Sequence, residues 1–182
     1  MHSLTEKFSK YFTYSDLVNC GESALSMKID NRPLEELTWI SLSNLAKEIL
    51  DPVYEKFGEI HLTYGFCSHN LSRKIESNIY PPLDQHSCME LNSRGNIICN
   101  RGGAAADFLV AGFSSIDVAR WIVSNLSFDR LYYYGKSLPI HVSHSARPNG
   151  SIVLMRRGSS SGRRVPMNIN QKKFLESTDV GF

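Results

Sequence analysis

Three side chains able to hold a metal stand far apart in the chain: His86 in "DQH", Asp107 in "AAADFLV" and His141 in "SLPIHVSHS". Asp107 lies in an otherwise apolar run that reads as a strand, where a carboxylate is costly unless paired, hydrogen-bonded or metal-bound. Alternation puts Ala105 and Leu109 on its face, so that face can be a pocket floor. In the run 137–145, His141 and Ser143 share one face of a strand and His144 takes the other. Two imidazoles and one carboxylate form a catalytic zinc set that leaves a fourth position for water. The residues alone leave a second reading open, in which backbone N–H groups satisfy the aspartate and the two histidines are ordinary.

The chain has 182 residues, 42% hydrophobic and 21% charged, which suits one globular domain with or without a tail. A net charge of +2 hides an asymmetry, because Arg130 to Lys173 holds nine Lys or Arg and no Asp or Glu. Such a stretch is either a solvated basic face or a surface for phosphate, nucleic acid or another polyanion. The four cysteines, Cys20, Cys67, Cys88 and Cys99, match no zinc ribbon and no CxxC motif, and fit a reducing compartment. Cys88 and Cys99 flank a polar excursion. They read as a closing pair at the base of a hairpin, reduced or oxidised, or with His86 as a second, thiolate-rich metal set. No apolar signal core opens the chain and no run of ~18 apolar residues occurs, so synthesis in the cytosol without a membrane span is expected.

The elements that must position these residues follow from pattern. Thr13 to Asp16 has the form of a capping box opening a short helix. Apolar residues at Leu42, Leu45, Ala46, Ile49, Leu50, Val53 and Phe57 have helical spacing, and Gly58 stops that helix. Strands are expected at 59–66, 104–110, 129–134, 138–144 and 151–156, and helices at 68–77 and from Ser115 to about Asn125. Pro81-Pro82 predicts a loop, 87–102 a hairpin-like excursion, and 158–164 with the last residues a flexible segment. Helices first and strands later imply an α+β fold with N-terminal helices packed on an antiparallel sheet. The expected organisation is one domain over 1–157, with an inserted loop over 87–102, and a basic tail over 158–182.

Ordered pieces of the chain resemble one family. "YFTYSDLVNCGESALSMKIDNRP" is similar to an opening of the form FT-x-x-E with IDN-x-P, and "NLAKEILDPVYEKFGEIHLTYGFCS" to a segment ending in SGYRS. "DQH" looks like Ser-Gln-His, "GGAAADF" like Gly-x-Ala-x-Asp, "FDRLYYY" like FDQLI-x-E, and "IHVS" like a strand ending His-Val-Ser. By these motifs the chain resembles the M15-type zinc peptidases, the D-alanyl-D-alanine carboxypeptidase-like group found in phage and bacteria, whose fold also occurs in the Hedgehog signalling domain. The resemblance implies that fold, one zinc ion, and His86, Asp107 and His141 as its ligands. It leaves His144 structural or at the rim and gives Asp129 a structural part.

Three departures bear on activity. Twenty residues separate His86 from Asp107, where the family has a much shorter spacing, and Asn100 occupies the ungapped ligand position. An inserted loop can leave both anchors in place, because loop length costs little free energy. Cys67 stands where the family has an arginine that holds substrate carboxylate, and a thiol supplies no bidentate cation. Tyr134 stands where the family has its catalytic glutamate. A phenol is a poor base at neutral pH but can donate a hydrogen bond to an oxyanion. Glu90, in the inserted loop, is a candidate replacement base, and Tyr132, on the same strand face as Tyr134, a candidate for the pocket lining.

The resemblance implies a zinc peptidase or amidase acting on peptidoglycan peptide or another small peptide, associated with a virion or released at lysis. A zinc-binding relative without peptidase activity is the alternative that the departures favour. A structural or nucleic-acid-associated protein using the basic region 130–173 is the third.

Overall fold

Thr13 opens the first helix as its spacing predicts, its backbone N–H donating to the Asp16 carboxylate at 2.7 Å. That helix is α1 (Tyr14–Val18) in a computed structural model that describes residues 2–19, 21, 26, 28–75, 80–157 and 163–177. The long apolar stripe forms α2 (Glu36–Leu45), a π-helical turn (Ala46–Leu50) and α3 (Asp51–Phe57). Pro52 gives a reason for the π turn, because it brings no N–H to the helical ladder and its ring crowds the preceding turn. Leu42, Leu45, Ile49, Leu50 and Val53 are fully buried. Gly58 ends the run at φ +93°, a backbone region that favours glycine. Asp51 fastens the N-terminal segment, accepting from the Ser9 hydroxyl and the N–H groups of Lys10 and Tyr11.

Then follow β1 (Ile60–Tyr64), the single turns α4 (His69–Ser72) and α5 (Pro81–Asp84), and β2 (Ala104–Val110). After α6 (Ser115–Asn125) come β3 (Arg130–Tyr133), β4 (Ile140–His144), β5 (Ser151–Arg157), β6 (Arg164–Ile169) and α7 (Gln171–Glu176). Pro81 and Pro82 were expected in a loop but open α5 instead, since the first turn of a helix has no use for their missing N–H groups. The N-cap of α6 is Ser114, one residue before the expected Ser115.

The fold is α+β. Six strands form one sheet in the order β1-β2-β4-β3-β5-β6. The sheet is mixed rather than antiparallel as expected, because β3 and β5 run parallel. β4 and β5 flank β3 on opposite sides and run in opposite senses, so one of them must be parallel to it. Helices α2 and α6 pack on one face, over Ala104, Ala106, Phe108, Leu131, Tyr133, Ile140, Val142, Ile152 and Leu154. Alternation sends Asp107, His141 and Tyr132 to the other face.

The segment beyond residue 157 also departs from expectation. Residues 158–162 and 178–182 lie outside the described residues, but between them β6 pairs with β5 along its length. Helix α7 inserts Phe174, fully buried, edge-on to Tyr133 at 6.0 Å. Basic composition suggested a flexible tail, yet one aromatic and an alternating strand suffice to dock it. No described helix is long and apolar enough to cross a membrane.

Replacing Phe174 by Ala should destabilise the protein by ~3–5 kcal/mol in urea unfolding, the range for a truncated core aromatic. A loss below ~1 kcal/mol would mean that α7 is peripheral to the fold.

Candidate metal centre

The site begins as a row across the sheet. Tyr64 on β1 pairs with Asp107 on β2, Asp107 with His141 on β4, and His141 with Tyr132 on β3. Directly opposed residues share a face, so register brings Asp107, His141 and Tyr132 together, and a register shift between Leu62 and Tyr64 sets Tyr64 opposite Asp107. His141 Nδ1 meets Asp107 Oδ1 at 2.7 Å. The Tyr132 ring stacks on the His141 ring, their centroids 4.6 Å apart.

Closing the row at the start of β2 depends on glycine. Gly103 has φ +81°, and a Cβ there would lie 2.1 Å from the carbonyl oxygen of His144. No other residue lets the two backbones meet so closely.

His86 arrives from the loop above, held by its own motif. Asp84 Oδ2 accepts the Tyr80 N–H at 2.5 Å and Asp84 Oδ1 the His86 N–H at 3.3 Å. Gln85, at φ +65°, donates its amide to Gly102 O at 2.7 Å and accepts the Ser143 hydroxyl at 2.8 Å. The Ser87 hydroxyl donates to Cys67 O, and the Cys67 N–H to His86 O, both at 2.9 Å. His86 Nδ1 then lies 2.7 Å from Gly65 O and Nε2 3.3 Å from Asp107 Oδ1. Donation from Nδ1 to the carbonyl leaves the Nε2 lone pair facing Asp107, the outer-shell arrangement of a metal-ligating histidine.

His86, Asp107 and His141 can hold a metal ion, since one ligand atom from each falls within 4.8 Å of the other two. Tetrahedral zinc, with bonds of ~2.0–2.1 Å, spaces its ligand atoms ~3.3 Å apart, close to what these contacts present. Both imidazoles are buried while the Asp107 side chain is 24% exposed, so the cluster opens to solvent on the carboxylate side. His141 Nε2 is buried with no hydrogen-bond partner among the described residues. That nitrogen is unpaired in either tautomer, as an acceptor when Nδ1 carries the proton and as a donor when Nδ1 faces a metal.

Burial pulls the His86 imidazole down, but the Asp107 charge and hydrogen bond overturn this and hold it up at about 9. Burial pushes Asp107 up, and the two imidazoles together bring it well below the usual carboxylate range. Burial, reinforced by the Asp107 charge, raises the Tyr134 phenol well above its ordinary value, so it stays protonated.

The other expected site residues separate into two groups. Tyr132 belongs to the row, and Tyr134 is close enough to feel Asp107. Cys67 is fully buried, its thiol pushed up to about 11 chiefly by burial, and its backbone braces the His86 loop. Glu90 is spent elsewhere: Oε1 accepts the N–H groups of Leu34 and Glu35, at 3.0 and 3.1 Å, just ahead of α2. Glu90 was one candidate for a replacement base, and a carboxylate that satisfies orphan donors near a helix start serves structure instead.

Asn100 is exposed and outside the cluster. Cys88 and Cys99 are free thiols and not a bridge, and among the described residues they join no metal-ligand group. Cys20 lies outside the described residues. Asp129 is buried and accepts the Asn149 N–H, a structural part as expected.

Sequence reasoning missed Asp84, Gln85 and Ser143 as the struts of the His86 loop, although "DQH" and "HVS" were both legible. It also missed Arg101. The Arg101 Nη1 donates to Leu83 O and lies 3.4 Å from the Tyr132 hydroxyl, which puts a guanidinium at the rim of the cluster.

No protein-family model, no curated protein and no solved structure matches the chain.

In the metal-free protein, the raised His86 value adds stability that is complete below pH 6.5 and lost as pH rises through about 9. The lowered Asp107 value adds stability that is complete above pH 3.8 and lost as pH falls below it. Thermal unfolding in chelator should therefore show a Tm that declines between pH 6.5 and 9, and His86→Gln should flatten that decline. A wild-type Tm already flat over this window would refute the coupling.

Proposed function

We propose that the chain is a zinc-dependent hydrolase of the D-alanyl-D-alanine carboxypeptidase-like kind, with the Hedgehog/DD-peptidase fold. Its substrate is a peptide or amide bond of the sort found in cell-wall peptide, and its setting is a phage or bacterial one. The observation that carries this reading is the meeting of His86 Nε2 and His141 Nδ1 on Asp107 Oδ1, with Gly65 O fixing the His86 ring. Sheet α+β architecture with helices on the far face agrees with it.

Zinc bound by these residues supplies a Lewis acid and a water of lowered pKa. The chain's own groups do the rest. The Gly65 carbonyl selects the His86 tautomer that presents Nε2. The Tyr134 hydroxyl, kept protonated by burial and by Asp107, donates a hydrogen bond to a developing oxyanion. Tyr132 packs on His141, and Arg101 brings to the rim a cation that Cys67 does not provide.

One observation favours the second reading, a zinc-binding relative without peptidase activity. Both Asp84 oxygens and Glu90 Oε1 accept backbone N–H groups, which ties these two carboxylates to the fold and leaves the cluster without an evident general base.

Zinc content and hydrolysis of purified peptidoglycan and short D-amino-acid peptides should be measured together. The expected outcome is one zinc per chain, lost in His141→Ala, with hydrolysis that falls ~10²–10³-fold in Tyr134→Phe while zinc is retained. Stoichiometric zinc without hydrolysis by wild type hands the site to the second reading. Absence of zinc ends both.

A further inference from the structure

A groove of ≈ 610 Å³ runs between α2, the inserted excursion and the ends of β2, β3 and β4. That volume is in the range of ligand clefts, ~300–1,000 Å³. Its walls are of two kinds. Leu37, Ile40 and Ile97 line it and are substantially exposed, at 57%, 45% and 39%. Arg101, Arg130 and Arg147 line it too, and none of them forms an ion pair with a described carboxylate. Asp129 is the one acidic side chain on the described lining, and it is buried with an oxygen bonded to the Asn149 N–H.

Arg130 is the strongest single sign. Leu131 and Tyr133 face the core, so alternation sends Arg130 to the face that carries the metal cluster. Its Nε is buried with no hydrogen-bond partner among the described residues. The Arg130 side chain, half-buried on the lining and in no ion pair with a described carboxylate, carries a cation that a ligand carboxylate can satisfy. Arg101 joins the two sites, since it lines the groove while approaching the Tyr132 hydroxyl at 3.4 Å.

We propose that this groove docks an extended acidic peptide that carries aliphatic side chains, its carboxylates facing Arg101, Arg130 and Arg147 and its aliphatic groups facing Leu37, Ile40 and Ile97. Charge complementarity selects an anionic ligand. The aliphatic wall selects peptide over nucleic acid, because the described lining offers no Phe, Tyr or Trp ring on which a base would stack. The inference goes beyond the hydrolytic reading and stands whether or not the centre cuts anything, because binding alone is tested.

Fluorescence anisotropy on the full chain, with zinc and in chelator, tests it. The probes are a short labelled peptide alternating leucine and glutamate, the same peptide with lysine for glutamate, and a labelled oligothymidylate. The glutamate peptide should bind at least ~10-fold more tightly than either of the others, with and without zinc. Arg147→Glu and Leu37→Ser, both at exposed positions, should each weaken it ~10-fold while leaving zinc content and Tm unchanged. Equal binding of the glutamate and lysine peptides overturns the proposal, as does indifference to both substitutions. Tighter binding of the oligothymidylate overturns it in favour of nucleic acid. A concentration-dependent dimer in sedimentation, abolished by Leu37→Ser, overturns it in favour of a second copy of the chain.

Discussion

One oxygen holds the site together. Asp107 Oδ1 contacts the His86 and His141 rings at 3.3 and 2.7 Å, and each of the three groups is costly to bury alone. Two imidazoles and one carboxylate around a point satisfy one another only in a narrow range of geometries. The surrounding structure is arranged to keep them in that range. Strand register supplies two of the three groups without any loop having to be correct, because Asp107 and His141 are direct partners in the β2–β4 ladder. A slip of one residue would turn both to the packed face.

The third group has no such guarantee, and the bonds around it answer that need. The turn from Asp84 to Ser87 is tied to Tyr80, Gly102, Ser143 and Cys67 through side chain and backbone alike. The Ser143 tie ends on β4, and Gly102 lies just ahead of β2, so the loop inherits the sheet's rigidity there. The excursion between Ser87 and Gly102 can then vary in length without moving either His86 or Asp107. In this chain they form an excursion that closes on an isolated Leu91–Ile97 bridge, lends Glu90 to the start of α2 and brings Arg101 to the rim. The excursion thus forms a wall shared by the His86–Asp107–His141 cluster and the arginine-lined groove.

Much of this was legible in the sequence where the pattern was local. "AAADFLV" is a short apolar run broken by one aspartate and is β2 to the residue, and the apolar spacing after Ser114 is α6. An aspartate in an apolar strand and a histidine in "IHVS" announced themselves by being out of place. Errors arose where a local signal had two structural uses. Paired prolines mark a loop or the first turn of a helix, and here they start α5. Basic, serine-rich composition near residue 160 suggested a loose tail, because nothing local shows that Phe174 has a hole to fill beside Tyr133. An antiparallel sheet was the simplest reading of successive strands, and the long-range placement of β5 beside β3 made it mixed.

What the sequence by itself determined is the chemistry available and the faces on which it would lie. Residue type and alternation put an aspartate and a histidine on one side of their strands, and helical spacing set which side α2 and α6 would cover. What only the tertiary structure decided is proximity and commitment. It brought His86 to Asp107 across twenty intervening residues, gave Glu90 Oε1 to the backbone at Leu34 and Glu35, and set Arg130 on one groove with Leu37, Ile40 and Ile97. The physical reason is that side-chain direction follows from backbone periodicity within a few residues. Which polar groups meet depends on register and loop closure between segments far apart in the chain.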